Sequence, residues 1–366
     1  MDRIRATYRI TADPSESQAR AQALAAEQSV EMPVGAITNP HVLTEILASV
    51  EEIRPGAGTF EVVLGIAAAT TGGEASQLLN MLFGNCSLQP EIELIDVEFP
   101  EGYERAFSGP RFGIDGIRRI AGVPDRPLTC TALKPQGSPI EHLAALARTF
   151  ALAGIDVIKD DHGVANQSFG PFADRVPTVQ RAIHQANRET GGNTLYAPTF
   201  SGGTRALAEQ ARIAKESGVK MALVAPMLIG LPAFVEMQVD LDLPLLAHPA
   251  FAGAGRIAPP LLLGKLFRLL GANATIFPNH GGRFSFSHAT CMEIADAARV
   301  PWHGLRPMFP VPAGGMSIER VPGMIAAYGK DTMLLIGGGL LTARGSLLEK
   351  SREFVAAVLS SVQRSG

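Results

Sequence analysis

From Leu128 onward, short apolar runs alternate with amphipathic segments at a regular interval. Several of the amphipathic segments end in glycine or in basic residues, as helices prefer. We predict eight strands, each followed by a helix, at 128–133, 155–159, 194–198, 219–224, 243–247, 273–277, 303–309 and 332–336. Eight βα units in roughly 235 residues have the period and size of a TIM barrel. A doubly wound open sheet is the competing interpretation, but such large sheets usually offer fewer equal repeats.

The first 105 residues have a different character, in which strand and helix signals are mixed. RATYRIT alternates at period two and residues 15–27 favour a helix, while TFEVVLGIAA and EIELIDVEF resemble further strands around a helix candidate at 74–83. We therefore expect an α/β protein with a small N-terminal α+β (ferredoxin-like) domain over residues 1–105. Residues 106–127 form a connection, and residues 128–366 form the (β/α)8 TIM-barrel catalytic domain.

Composition and charge exclude several classes of function. The formal charge is −3, the pI is near 6.3, and no Lys/Arg run is present, so nucleic acid is not an expected partner. The longest uncharged run, Met221 to Val235, is interrupted by Pro and Gly and falls short of the roughly 20 residues of a membrane helix. Three scattered cysteines form no CxxC pair, and the first residues lack the apolar stretch of a secretory signal. We expect a cytoplasmic protein that binds no membrane.

Two of the predicted strands end in a lysine. Lys134 closes LTCTAL and Lys159 closes IDVI, and a lysine at the end of a buried strand is costly unless the protein uses it. In a TIM barrel, functional residues follow the carboxyl ends of the strands. Polar residues do follow the predicted strands at Gln136, Asp161, His162, His248, Asn279, His280 and Arg283. Arg283 falls in the expected sixth loop, which can close over a substrate.

Glycine-rich turns follow the seventh and eighth predicted strands. The first contains Gly314 and Gly315, and the second contains Gly337 and Gly338. Free backbone N–H groups in such turns, at these two places in a barrel, form the usual phosphate site. The alternative is that tight βα turns need glycine only for a positive φ.

The KDDH segment is suited to an oxygen-rich metal site. Burial lowers the pKa of a lysine, and a neutral Lys159 amine can take up CO2 to become an anionic carbamate. Together with Asp161 it would offer hard oxygen ligands for one Mg²⁺. For Asp161 an ordinary salt bridge is the alternative, and His162, a softer ligand, could instead be an outer contact or an acid/base group. His248 could be a core histidine.

These groups suit proton abstraction beside the carbonyl of a phosphorylated sugar. From position alone Lys134, His248 and His280 are all plausible proton acceptors. On composition alone, Glu27 would be a solvated residue at a helix end and Asn85 a turn residue.

Several segments resemble a known superfamily. ALKPQG resembles the IKPKLG strand end of ribulose-bisphosphate carboxylase, and GIDVIKDDHGVANQSFGPFADR resembles its GGLDFTKDDENVNSQPF segment. PVPAGGM and LLIGGGL follow in the same order, and GN at positions 84–85 precedes them. The chain is thus similar to the RuBisCO-like proteins, the type IV homologues, whose two-domain fold agrees with the one predicted from the residues.

The resemblance implies roles for individual residues. Lys159 resembles the lysine that is carbamylated by CO2, Asp161 resembles a ligand of Mg²⁺, and Lys134 resembles the lysine that handles protons. The four glycines match the phosphate-binding turns, and His248 matches the histidine after strand five. Glu27 and Asn85 match residues that the family inserts into a neighbouring subunit's barrel. The resemblance therefore implies a homodimer with shared active sites.

Three positions at which this chain departs from the carboxylase pattern restrict the reactions that it could catalyse. Gln136 stands where the carboxylases have a second lysine, Pro249 where they have a phosphate-binding arginine, and His162 where they have a glutamate ligand. The lost charge-assisted contacts argue against CO2 fixation and favour a monophosphate substrate.

Within the family, the 2,3-diketo-5-methylthiopentyl-1-phosphate enolases use a lysine base at the position of Asn85, which argues against that activity. The family's 5-methylthioribulose 1-phosphate isomerases are compact, as this chain is. We predict such an isomerase, acting in sulfur salvage through metal-assisted enolisation. The alternatives are a decarboxylase of a phosphorylated 3-oxo sugar acid, of the kind used in apionate catabolism, the enolase, and a non-catalytic binding module.

Overall fold

The computed structural model describes residues 2–282, 286–342 and 345–363. The chain forms two compact units, one of Met1–Ser108 with Ala252–Leu262 and the other of Gly109–Phe251 with Leu263–Gly366. Residues 252–262 thus group with the first unit, although they lie within the range that we expected to form the barrel domain. The reason is local pairing, because Leu94 exchanges backbone hydrogen bonds with Arg256 and Ala258, each at 2.9 Å.

Among its described residues, the first unit has an antiparallel sheet, two α-helices and a π-helix at Val42–Ile46. Its strands are β1 (Arg3–Ile10), β2 (Ser49–Pro55), β3 (Phe60–Ala67) and β4 (Ile92–Glu98), and its helices are α1 (Ser17–Glu27) and α2 (Ala75–Phe83). The spatial order is β2-β3-β1-β4. A βαββαβ chain order with this strand arrangement is ferredoxin-like, as predicted.

The alternation of buried and outward-facing residues along β1 explains why this sheet forms. Ile4, Ala6, Tyr8 and Ile10 are buried on one face, while the intervening arginines point outward and pair with carboxylates of β2, β3 and β4. β2 escaped prediction because its residues are mostly exposed, so it lacks the buried alternation on which a sequence-based assignment depends.

The second unit is a barrel of parallel strands. They are β5 (Leu128–Leu133), β6 (Val157–Asp160), β7 (Leu195–Ala197), β8 (Thr199–Phe200), β9 (Ala222–Val224), β10 (Leu245–Ala247), β11 (Ala274–Pro278), β12 (Phe309–Ala313) and β13 (Met333–Leu335). β7 matches the strand predicted at 194–198, and the short β8, which was not predicted, follows after Pro198. Each of the eight predicted strands has a counterpart, and the TIM-type barrel is confirmed. Thr332 bridges β13 to β12 by donating from Oγ1 to the Pro310 carbonyl at 3.1 Å.

One predicted strand was misplaced. The seventh begins at Phe309 rather than at residue 303. His303 and Gly304 both have positive φ, 47° and 69°, and this left-handed backbone interrupts an extended segment.

Helices surround the strands and supply the rest of the core. They are α3 (Gly113–Ala121), α4 (Ile140–Leu152), α5 (Phe172–Thr190), α6 (Thr204–Glu216), α7 (Pro226–Ile229), α8 (Leu231–Leu241), α9 (Phe267–Leu269), α10 (His288–Arg299), α11 (Val321–Tyr328), α12 (Gly338–Leu341) and α13 (Leu347–Gln363), with a π-helix at Pro260–Leu266. Ile114 and Ile117 of α3 pack with inward residues of the barrel strands, so the expected connection contributes to the barrel core. None of the helices in the described segments is long and apolar enough to cross a membrane.

Candidate active site

The two lysine-terminated strands are neighbours in the barrel. β5 and β6 pair in parallel, with Ala132 opposite Lys159 and Leu133 opposite Asp160. Because parallel strands end at the same edge, Lys134 lies beside the residues that follow β6. Its Nζ is 2.8 Å from Oδ2 of Asp161. This ion pair joins the two segments that the sequence analysis singled out.

Lys159 is buried, with 3% of its surface exposed. Its Nζ donates to the carbonyl of Asp160 at 3.0 Å. Burial lowers the pKa of the Lys159 amine, and the charge of Lys134 lowers it further, against the opposing effect of Cys130 and Asp161. A neutral amine is nucleophilic, so this environment favours the form that reacts with CO2.

Asp161 is ionised and shared between two neighbours. Burial raises the pKa of its carboxyl, but hydrogen bonds from His162 and Lys134 outweigh that effect and hold the pKa well below its usual range. The distance from His162 Nδ1 to Asp161 Oδ1 is 3.3 Å. The carboxylate therefore links the end of β5 to the imidazole that follows it.

His248 follows β10 and stacks on His162, with ring centroids 4.4 Å apart and ring planes 12° from parallel. Burial is the main cause that lowers the pKa of His248 to about 2. The ring is therefore neutral, and its Nδ1 accepts the Ala250 N–H at 3.1 Å. The ring hydrogen then lies on Nε2, which makes His248 a hydrogen-bond donor.

Gln136 lies against the loop that follows β6. Its Oε1 is 2.6 Å from the position that a Cβ of Gly163 would occupy, so a residue larger than glycine would displace it. The side chain that replaces a lysine of the carboxylases is thus close to the KDDH segment.

The two glycine-rich turns have different reasons for glycine. Gly314 and Gly315 have φ of 79° and 63°, and a Cβ on Gly315 would be 2.6 Å from the Cα of Gly282. Gly337 instead adjoins Lys134, whose Cε lies 3.7 Å from the position of an added Cβ, and Gly338 faces open space. Glycine is required in the first turn because the backbone of another loop packs closely against it. In the second turn, the absence of side chains leaves space next to Lys134.

Lys159, Asp161 and His162 follow one another closely but form only an incomplete metal site. No group of three His, Cys, Asp or Glu side chains in the described part of the chain could hold a metal ion. A carbamate on Lys159 would add an anionic oxygen beside the ionised Asp161, and that donor set fits Mg²⁺. The fit therefore depends on modification of the buried amine.

Glu27 and Asn85, 58 positions apart, meet in the first unit. Asn85 Nδ2 donates to Glu27 Oε1 and to Glu31 Oε1, each at 2.9 Å. Glu31 was not predicted, because a glutamate after a helix end has no distinguishing pattern in the sequence. Arg283 lies outside the described residues.

A cluster of three buried polar residues behind the site was also not predicted from the sequence. They are Asp160, Arg175 and Tyr196, and Tyr196 donates to Oδ1 of Asp160 at 2.8 Å. Asp160, the first aspartate of the KDDH segment, was the residue from which this cluster could have been predicted. Arg175 lies near the start of α5, where a basic residue is usually read as part of an exposed face.

The sequence matches known proteins over nearly its whole length. Residues 113–274 match the catalytic domain of the ribulose bisphosphate carboxylase large chain. A 5-methylthioribulose-1-phosphate isomerase of Rhodospirillum rubrum is 51% identical over 366 residues, covering 99% of this chain and 98% of that protein. A 2,3-diketo-5-methylthiopentyl-1-phosphate enolase of Geobacillus kaustophilus is 36% identical, covering 77% of this chain and 70% of that protein.

The structural comparison extends over nearly the whole chain. The crystal structure of a Rubisco-like protein from Rhodopseudomonas palustris has a TM-score of 0.93 and 47% identity, covering 98% of both chains. The same fold and a sequence match of this length require common descent. The chain therefore belongs to the ribulose bisphosphate carboxylase large-chain family, as a RuBisCO-like protein.

Proposed function

We propose that the protein is a sugar-phosphate isomerase that acts on 5-methylthioribulose 1-phosphate. The observation that carries this proposal is the 51% identity, over 99% of the chain, to the Rhodospirillum rubrum protein of that name. An enolase is the weaker candidate, because its relative is less similar and covers less of the chain. Isomerisation of this class removes a proton beside a carbonyl and returns one to a different carbon.

Lys134 is the group that we assign to proton transfer. Its amine is paired with Asp161, and its side chain is 35% exposed next to Gly337, so a substrate can reach it. His248 is the weaker candidate for a base, since its Nδ1 is occupied, its Nε2 carries hydrogen, and burial disfavours its protonation. A neutral N–H is instead suited to donate to an oxygen of the substrate.

Lys159, as a carbamate, would hold Mg²⁺ together with Asp161, and His162 would complete or support that set. Bound there, the ion would polarise the substrate carbonyl and stabilise the enediolate. The backbone of the Gly314–Gly315 and Gly337–Gly338 turns would bind the phosphate. The absence of a second lysine at Gln136 and of an arginine at Pro249 supports a monophosphate.

Proton NMR in D2O tests the proposed reaction directly. With 5-methylthioribulose 1-phosphate and Mg²⁺, we expect carbon-bound proton signals to be lost and a second pentulose phosphate to form. Incubation without enzyme is the control. The absence of both exchange and product would contradict the isomerase. Turnover of the diketo substrate, or CO2 release from a branched keto-acid phosphate, would assign the enolase or the decarboxylase instead.

We also propose a homodimer in which Glu27 and Asn85 of one subunit complete the barrel site of the other. The Asn85 amide lies exposed and is held by two carboxylates, as a group presented to a partner would be. In a symmetric dimer this arrangement gives two shared sites.

Subunit complementation tests that arrangement. Asn85→Ala and Lys159→Met should each be inactive alone, since each damages both sites of its own dimer. Co-expressed, they should form hybrids with one intact site and recover about a quarter of wild-type activity, by random pairing. Recovery no greater than the sum of the two separate variants would show that each subunit has a self-contained site.

A further inference from the structure

A fully buried polar cluster lies directly behind the candidate site. Asp160 and Arg175 are 0% exposed and Tyr196 is 1% exposed. Arg175 Nη2 and Asp160 Oδ2 are 3.2 Å apart, and Oδ2 also accepts the Thr199 N–H at 3.1 Å. The carboxylate at the end of β6 thus receives donors from α5, from β7 through the Tyr196 hydroxyl, and from β8.

Arg175 also contacts the loop that carries the predicted ligands. Its Nη1 donates to the carbonyls of Ala165 and Gly170, at 2.6 and 2.7 Å. The guanidinium therefore joins the end of β6 to the middle and the far end of the loop between Asp161 and Gly170. A single side chain with three acceptors in different segments restrains their relative positions.

Stability alone is a poor explanation for this cluster. Removing an arginine and an aspartate from water is costly, and apolar replacements of buried ion pairs are often neutral or stabilising. An apolar side chain, however, could not donate hydrogen bonds to the two loop carbonyls. The contacts of Arg175 are therefore better explained by the geometry that they impose on the loop.

We propose that Arg175, held by Asp160 and Tyr196, is a positioning residue that fixes the loop after β6 and thereby places Asp161 and His162 for their task. This inference rests on the proposed function for what those two residues do, but its structural part concerns the loop itself. Thr199 supports the same placement, since its Oγ1 donates to the Asp161 carbonyl at 3.1 Å.

The shape of the side chain predicts which substitution fails. Lysine keeps the positive charge but presents one nitrogen in place of a planar fork, so it cannot reproduce bonds to all three acceptors. Tyr196→Phe removes only one donor to Asp160 and leaves both loop carbonyls bound. We expect Arg175→Lys to loosen the loop more than Tyr196→Phe does.

Hydrogen exchange of the metal-free protein is the first readout. In Arg175→Lys, the amides of Val164, Ala165 and Gly170 should exchange at least about ten-fold faster, while those of the barrel strands stay protected. The double variant Asp160→Asn/Arg175→Met removes both charges, so it keeps the test available if the single variant does not fold. Arg181→Met, on an exposed position of the same helix, is the matched control and should leave the loop unchanged.

Binding of Mn²⁺ in the presence of bicarbonate, which supplies the CO2 for the Lys159 carbamate, is the second readout and is followed by the EPR signal of the ion. Loss of a group that orients metal ligands commonly weakens binding by about ten- to a hundred-fold, and we expect that loss in the Arg175 variants but not in Arg181→Met. The proposal would be overturned if exchange of the loop amides did not change, or if exchange became equally faster throughout the barrel. It would also be overturned if the loop loosened while the Mn²⁺ affinity stayed the same. If the wild-type protein binds no Mn²⁺, the proposed metal site fails, and loop exchange alone then decides the role of Arg175.

Discussion

Lys159→Met should lower the isomerase rate at least about a thousand-fold while leaving the melting temperature unchanged or higher. Methionine has nearly the same length and suits a buried position, whereas an amine there is costly to bury. The variant would lose the proposed carbamate, and with it the anionic oxygen that completes the metal donors. A steady-state assay and a thermal melt measure the two effects.

The controls separate this effect from a loss of structure. Lys215→Met changes an exposed lysine of α6 and should have no effect on activity. Wild-type activity should rise with bicarbonate and Mg²⁺ added together, and the activity of Lys159→Met should not. An active Lys159→Met would mean that catalysis does not require this lysine. A wild-type enzyme indifferent to both additions would mean that the lysine acts without modification.

Lys134→Met should lower kcat by about a hundred- to ten-thousand-fold and abolish proton exchange into D2O, because it removes the proposed proton carrier. Mn²⁺ binding should persist or become tighter, since the ammonium that pairs with Asp161 would be gone. Lys159→Met is expected to differ from this variant, because it should lose metal binding as well as activity. Kinetics, NMR exchange and EPR titration on the same preparations measure this difference.

Lys134→Arg distinguishes charge from proton transfer. A guanidinium can keep the ion pair with Asp161 but stays protonated at all accessible pH values, so it cannot serve as a base. We expect this variant to be as inactive as Lys134→Met while binding Mn²⁺ with wild-type affinity. Substantial activity in Lys134→Arg would assign Lys134 an electrostatic role and return His248 and His280 as candidates for the base.

The fold was predictable where burial leaves a periodic trace in the sequence. The apolar runs around Leu128 and Ala274 are strands because they are buried on all sides, and β1 is a strand because every second residue is buried. The exposed β2 has no such trace. Residues 252–262 pack with the first unit through backbone hydrogen bonds to Leu94, which no side-chain pattern records.

For the candidate site, the sequence was sufficient to predict which residues follow each strand. Lys134, Lys159 and Asp161 were expected at one edge of the barrel, and their order along β5 and β6 is enough to place them there. The sequence did not distinguish Lys134 from His248 as the proton carrier. That distinction depends on the Ala250 N–H bound to Nδ1 and on the burial of the ring, both properties of the folded chain.

By itself, the sequence determined the eightfold βα repeat, the ferredoxin-like first unit and the chemistry available at the ends of the strands, because these follow from local apolar periodicity and residue type. Only the tertiary structure decided that Lys134 pairs with Asp161, that His162 stacks on His248 and that Arg175 donates to carbonyls of the loop after β6. Such contacts join residues from different strands and helices. Their geometry and their protonation depend on burial, which arises only when the barrel closes.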